Sequence, residues 1–481
     1  MKAGANKVVN SFFWKFAERI GAQGVTFIVS IVLARILDPE VYGQIALVLV
    51  FTSILQVFVD SGLGTALIQK KEADDLDFSS VFFFNIAVCL VLYLLMFVSA
   101  PLIADFYRTP ELTPVIRVMS LVLIISGVKN VQQAYVSRHM LFKRFFFSTL
   151  GGTIGAAAVG IFMAWKGYGV WALVAQYLFN TLVDTIILWV TVKWRPKLMF
   201  SFKRLKEMLG FGVRLLGVSI ISTVYNDIRS LIIGKLYTTT DLGYYNRAQQ
   251  FPQVISINID SSVDSVLLPT MSQRQDEYSS IKTISSLSVK VCSYVLMPLM
   301  IGLAACGDTV VELLLTEKWM PCVPYLRIFC LSYAFLPLFT TSYNAYKAIG
   351  RSDVYLKVTL WSKFVGLAIL LAVMRLGILW IAYGLLIGNF ISQYICAQPG
   401  KKLFGYGYWN QMKDVAPNFF IALIMGVLVY CIEFIGMSDI LTLLIQILLG
   451  GCIYLLLSII TKNPSFIYIK EKFFHIRSSK S

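Results

Sequence analysis

Apolar runs recur along this chain from end to end, each about 20 residues long and so able to cross the hydrocarbon core of a bilayer. Lipid offers no hydrogen-bond partner to a peptide group, so segments of this kind must be helices. The balance of residues agrees: 57% of the 481 are hydrophobic and 14% charged, well outside the range of a soluble globule. The expected fold class is an all-α polytopic membrane protein with about 14 transmembrane helices. The first six are expected at 11–36, 42–68, 79–104, 113–137, 143–165 and 170–193. The next six fall at 210–236, 242–268, 283–306, 321–347, 355–375 and 378–397, followed by two at 416–435 and 440–461. The opening residues carry charges inside the apolar stretch and lack a small-residue cleavage site, so no cleavable signal peptide is read there.

The formal charge of +16 would suit a nucleic-acid binder, but its distribution does not. With the N-terminus inside, one set of alternate connections and tails carries 26 lysines and arginines, the other set six. That asymmetry is the positive-inside pattern, and it places both termini in the cytoplasm. The connections are short, and none can hold a separate soluble catalytic domain. The longest internal one, Lys193 to Leu209, interleaves basic residues with Phe200, Phe202, Leu205 and Met208, which reads as an interfacial amphipathic segment.

The chain also contains itself twice. Shifted by 200 residues without a gap, Gly43 falls on Gly243, Phe51 on Phe251, Asp60 on Asp260, Ser61 on Ser261 and Leu67 on Leu267. Pro114 and Arg117 recur as Pro324 and Arg327, at an offset of 210. Gln133-Ala134-Tyr135 recurs as Asn344-Ala345-Tyr346, 211 residues on. An even number of helices separates the copies, so they share one orientation in the membrane. The expected organisation is a six-helix lobe over 1–193, a cytoplasmic linker over 194–209, a second six-helix lobe over 210–400, and an accessory helix pair with a basic tail over 401–481.

Charge in mid-membrane is costly unless it meets a partner or water, so the polar residues inside the spans are the candidate site. In the first helix Lys15, Glu18, Arg19 and Gln23 share one face; in the seventh, Tyr225, Asn226 and Arg229 do, with Asp227 beside them. The second helix offers Gln56 and Asp60, and the eighth a stripe that includes Gln250, Asp260 and Asp264. The fourth carries Lys129. Arg117 and Arg327 lie near outer helix ends, where each would anchor the loop that its proline begins. These stripes predict a polar cavity lined by helices one, two, seven and eight. No P-loop lysine motif, no His-based centre and no metal-ligand spacing is present; the eight cysteines are scattered through apolar segments. Neither a catalytic residue nor a metal or other cofactor is expected.

The run LARILDPEVYGQIALV through VDSGLGTALIQKK, then FYRTPELTPVIRVMSLVLIISG, GYGVWALVAQ, DLGYYNRAQQFPQ and EKWMPCVPYLRIFCLS resemble the bacterial polysaccharide transport family. These are the O-antigen and exopolysaccharide repeat-unit flippases of the multidrug/oligosaccharidyl-lipid/polysaccharide superfamily. The resemblance covers nearly the whole chain. It implies two pseudo-repeat lobes in a V-shaped, MATE-like arrangement plus the accessory pair. It further implies alternating access, carrying undecaprenyl-diphosphate-linked oligosaccharide across the bacterial inner membrane. Membrane lipids, a polysaccharide polymerase and chain-length machinery are the implied partners, and nucleic acid is not. A diphosphate headgroup needs cations, which Lys15, Arg19, Arg214, Arg229 and Lys290 could supply; Tyr225, Asn226 and Gln250 could face sugars. Glu18 and Asp227 could hold the arginines or carry a coupling proton or sodium ion. Two alternatives stand beside this: a multidrug or cation antiporter of the same superfamily, and a membrane polysaccharide polymerase, against which the short outer loops count.

Overall fold

The computed structural model describes residues 21–60 and 62–478, without the side chains of Phe142, Phe211, Arg214, Leu215 and 472–478. Every regular element among these residues is helical. In order they are α1 (Gly21–Ile36), α2 (Pro39–Asp60), α3 (Leu63–Gln69), α4 (Asp75–Phe106), α5 (Leu112–Met119), α6 (Leu121–Arg138), α7 (Phe142–Trp165) and α8 (Val170–Thr191). Then follow α9 (Phe202–Leu236), α10 (Thr239–Ser272), α11 (Tyr278–Ala305), α12 (Gly307–Leu315), α13 (Val323–Ala334) and α14 (Leu336–Ala348). The chain closes with α15 (Ser352–Val373), α16 (Ile378–Phe404), α17 (Tyr408–Cys431), α18 (Asp439–Ile460) and α19 (Pro464–Ser478).

Among the described residues twelve helical stretches are long and apolar enough to cross a membrane, against about fourteen expected. The difference falls on the first and eighth expected spans. The first is described only from Gly21, leaving the short apolar α1. The eighth is present as the 34-residue α10, but its asparagines, glutamines, serines and aspartates keep it out of the apolar set.

The chain divides into two compact units, Met1–Gly243 and Tyr244–Ser481. In the first unit, α4 opens on a capping box: the Asp74 carboxylate accepts from the Asp77 amide while the Asp77 carboxylate accepts from the Asp74 amide. Gly62, at φ 70°, breaks the helix between α2 and α3, a conformation that costs a residue with a Cβ. The second copy has Ser262 there, and α10 runs through unbroken.

The segment from Lys193 to Leu209 is bound to the first unit's own helices. Trp194 is buried among Phe78, Phe82 and Tyr135, its indole N–H donating to Asp75 Oδ1 at 3.1 Å. Gln132 donates to the Trp194 carbonyl at 3.2 Å, and the amides of Lys197 and Ser201 donate to the hydroxyls of Ser79 and Ser80 at 3.0 and 2.9 Å. Arg204 pairs with Asp74 at 2.6 Å and lies 3.5 Å from Asp77, which Lys70 also engages at 2.6 Å. Leu205 and Met208 enter the apolar core, while Leu198, Phe200 and Phe202 stay exposed. The segment is amphipathic, as its sequence indicates, and one of its two apolar faces is satisfied by protein.

In the second unit α11 lies along α17, clamped by a polar knot in which Lys290 pairs with Asp414 at 3.2 Å. Ser286 and Tyr406 donate to the other oxygen of Asp414 at 2.6 and 2.8 Å. Asn418 donates to the Lys290 carbonyl and to Ser293, and Tyr454 on α18 donates to the Tyr294 carbonyl. These bonds tie both accessory helices to α11. All eight cysteines are unpaired thiols, six of them buried as packing residues.

Candidate functional site

The duplicated arginines make duplicated contacts, each within its own unit. Arg117 Nε donates to the Phe97 carbonyl on α4 at 3.1 Å, and Arg327 Nε donates to the Ala304 carbonyl on α11 at 3.2 Å. Arg327 also pairs with Asp308. Both cap the end of the preceding long helix, where orphan carbonyls need donors, so their role is structural.

Of the candidate residues, Lys15, Glu18 and Arg19 lie outside the described residues, as does the side chain of Arg214 on α9. Gln23 is on α1, exposed. In the first unit, Asp227 accepts from the Ser53 hydroxyl at 2.6 Å, joining α9 to α2 and turning away from Arg229. The Arg229 guanidinium rests 5.5 Å from the centre of the Tyr225 ring one turn below, a cation–π contact. Among the described residues it forms no ion pair. It is half-buried, and Asn226 is exposed. Gln56 donates to Asp60 Oδ1 at 3.3 Å, and Asn130 on α6 donates to the same oxygen at 3.0 Å.

In the second unit Gln250 accepts from Arg247 at 2.6 Å, an arginine only 3% exposed that also stacks near Phe251. Lys290 is engaged by Asp414, as described above. Asp260 on α10 faces Thr340 on α14.

The structure also pairs two residues the stripe reading left apart. Lys129 on α6 meets Asp184 on α8 at 3.0 Å, both largely buried, and the second oxygen of Asp184 is sealed without a donor. Its signal in the sequence is a lone carboxylate in the middle of the run VWALVAQYLFNTLVDTIILWV. Asp184 has no polar neighbours at helical spacing, so a search for stripes passes over it.

The chain is 26% identical over 476 residues to "Succinoglycan biosynthesis transport protein ExoT" of Rhizobium meliloti, covering 95% of this chain and 94% of that protein. It is also 26% identical to "Teichuronic acid biosynthesis protein TuaB" of Bacillus subtilis, covering 84% of this chain and 86% of that one. With "Lipopolysaccharide biosynthesis protein WzxC" of Escherichia coli it shares 22% identity over 87% of this chain and 86% of the relative. Among solved structures it shares the fold of "Lipid II flippase MurJ, inward closed conformation", with a TM-score of 0.74, 16% identity and coverage of 95% of this chain and 98% of that one. An inward-facing MATE multidrug transporter of the MOP superfamily superposes with a TM-score of 0.63 at 15% identity, over 84% of this chain and 98% of its own. The family model described as "Polysaccharide biosynthesis protein" matches residues 32–324. On a multi-pass transporter fold, with that match across more than half its length, the chain belongs to the polysaccharide biosynthesis protein family.

Proposed function

We propose that this protein is a flippase that moves lipid-linked oligosaccharide repeat units across the bacterial inner membrane by alternating access, supplying a surface polysaccharide. The observation that carries this reading is end-to-end similarity to a succinoglycan transport protein on a fold shared with a lipid II flippase. Both names concern glycans on their way out of the cell, and a lipid-diphosphate glycan is the substrate class that such similarity favours. Arg229 supports it physically. A cation inside a span with no carboxylate partner among the described residues suits an anionic headgroup, because an isolated buried charge is otherwise costly. The product in the outer leaflet is of the class that a membrane polymerase consumes.

The orientation that goes with this reading has both termini in the cytoplasm. In a background without cysteines, a cysteine at Asp38 should react with an impermeant thiol reagent added outside, and one at Lys402 should not. The reverse labelling overturns the orientation. For the function itself, deletion should leave lipid-linked repeat units in the cytoplasmic leaflet and abolish one surface polymer. Normal polymer together with raised drug sensitivity would assign the chain to the multidrug antiporters instead.

A further inference from the structure

We infer that the second unit carries a binding site for a monovalent cation of the sodium class, formed by Asp260 and Asp264 on α10 with Thr340 and Asn344 on α14. Each pair is spaced i, i+4, so the two ladders face each other one turn apart. Asn344 Nδ2 donates to Asp264 Oδ1 at 2.7 Å, and the Thr340 hydroxyl is the hydrogen-bonding neighbour of Asp260.

Two oxygens in this cluster are sealed from solvent with nothing to donate to them: Oδ1 of Asp260 and Oδ1 of Asn344. Asn344 is 1% exposed, so water from the surface does not reach it. A buried acceptor left unmade costs about 1–3 kcal/mol, and buried polar atoms are almost always satisfied. The two carboxylates also repel each other one turn apart. Among the described residues neither takes part in an ion pair. A bound cation removes both penalties at once. Asp264 is exposed, which gives the ion a way in.

The first copy serves as an internal control. Asp60–Asn130 and Asp260–Thr340 are the same contact, with partners 200 and 210 residues apart. One turn further on, the first copy has Gly64 against Ala134, where a Cβ on the glycine would stand 3.9 Å from the alanine Cβ. The second copy has Asp264 bonded to Asn344 at those offsets. This contact register is one residue off the match of Gln133-Ala134-Tyr135 with Asn344-Ala345-Tyr346. In the first copy Asp60 Oδ1 is satisfied by Gln56 and Asn130. The scaffold therefore closes with glycine and alanine here, and packing does not require the second carboxylate or its buried amide.

The donors are all oxygen, which selects hard cations over soft ones. Among the described residues no group of three or more His, Cys, Asp or Glu could hold a metal ion, which disfavours a transition metal. Calcium takes about 6–8 oxygens, more than these four side chains bring, so a monovalent ion fits better.

The test uses the full chain in lipid nanodiscs, with radioactive sodium binding and the thermal midpoint in sodium, potassium and choline chlorides at equal ionic strength. Wild type should bind sodium saturably, one ion per chain, with a higher midpoint in sodium than in choline. Asp264→Asn and Asn344→Ala should each weaken sodium binding about tenfold or more while leaving the choline midpoint unchanged, a loss of about 1.4 kcal/mol. If Asp264→Asn lowers the choline midpoint, Thr340→Val takes its place and should show the same weakening. Sodium binding no better than potassium, or variants that bind as wild type does, overturns the site. A sodium-independent midpoint shift with pH that Asp264→Asn removes would mean that the pair holds a proton, and also overturns it. None of these readouts depends on glycolipid export.

Discussion

Gly43 and Gly243 make the same contact in opposite directions. A Cβ on Gly43 would overlap the carbonyl of Thr239, and a Cβ on Gly243 would overlap the carbonyl of Pro39. Thr239 is the 200-residue counterpart of Pro39, just as Gly243 is of Gly43. The contact is backbone on backbone, so no side chain can swing aside to admit a methyl group. Gly43→Ala or Gly243→Ala should therefore destabilise the protein by about 1–3 kcal/mol or more, through overpacking. Gly217→Ala, which meets nothing within 4 Å, should leave the midpoint unchanged or raise it slightly. Equal thermal midpoints for all three would show that the α2 and α10 starts are not in this close contact.

Arg229 is predicted to matter for export and not for folding. Arg229→Ala should accumulate in the membrane as wild type does and export poorly, while Arg229→Lys should recover part of the export. Lysine keeps the charge and loses the bidentate fork and much of the stacking on Tyr225. Export and membrane abundance are measured on the same cells. Disappearance of the alanine variant from the membrane would make the residue structural.

The Lys129–Asp184 pair should behave as buried pairs do. Lys129→Met alone strands a carboxylate that already has one unsatisfied oxygen, at a cost of about 3–5 kcal/mol. Adding Asp184→Leu should restore most of that stability, because the double variant leaves no charge behind. Thermal midpoints of the four members of the cycle give the coupling. Additive losses would mean that the two side chains do not depend on each other.

The joint between Lys193 and Arg204 should be pH-sensitive at the acid end. Arg204 and then the Asp77 amide hold the Asp74 carboxyl down at about 2, below its ordinary 3.8. A depressed carboxylate stabilises the fold above its unfolded pKa, and that contribution is lost as pH falls through the folded one. Pepsin should therefore leave residues 193–204 uncut near pH 4 and cut them as pH approaches 2. Arg204→Ala should move the onset upward, and an unchanged onset would argue against the ion pair. Trp194→Ala, which empties a buried aromatic site, should cost about 3–5 kcal/mol in thermal unfolding.

How much of this was legible in the sequence follows from what period and charge can encode. Apolar run length placed the helices, because a bilayer demands that length of any span. The recurrence of Arg117 as Arg327 pointed to a duplicated structural device, and the two carbonyl contacts are its content. What the stripes did not reveal is who pairs with whom across helices. Lys290 looked like a headgroup cation, yet Asp414, 124 positions away, engages it. Asp227 looked like a partner for an arginine and instead accepts from Ser53, 174 positions away. Such pairings depend on rotation and depth of separate helices, which spacing within one helix does not carry. The acidic residues of EADDLDFSS read as loop charge and turned out to be the dock for Trp194, Lys197 and Arg204.

That dock has a mechanical consequence. A sixteen-residue connection is nominally a slack rope, able to reach tens of ångströms if extended. Here Trp194, Lys197, Ser201 and Arg204 are each fastened to the start of α4 or to its neighbours. The rope is nailed down at intervals of three or four residues, and the helix that leaves it, α9, starts from a fixed mount. Any swing of α9 during a transport cycle must therefore bend the helix itself or carry the α4 mount with it, since the connection has no length to pay out.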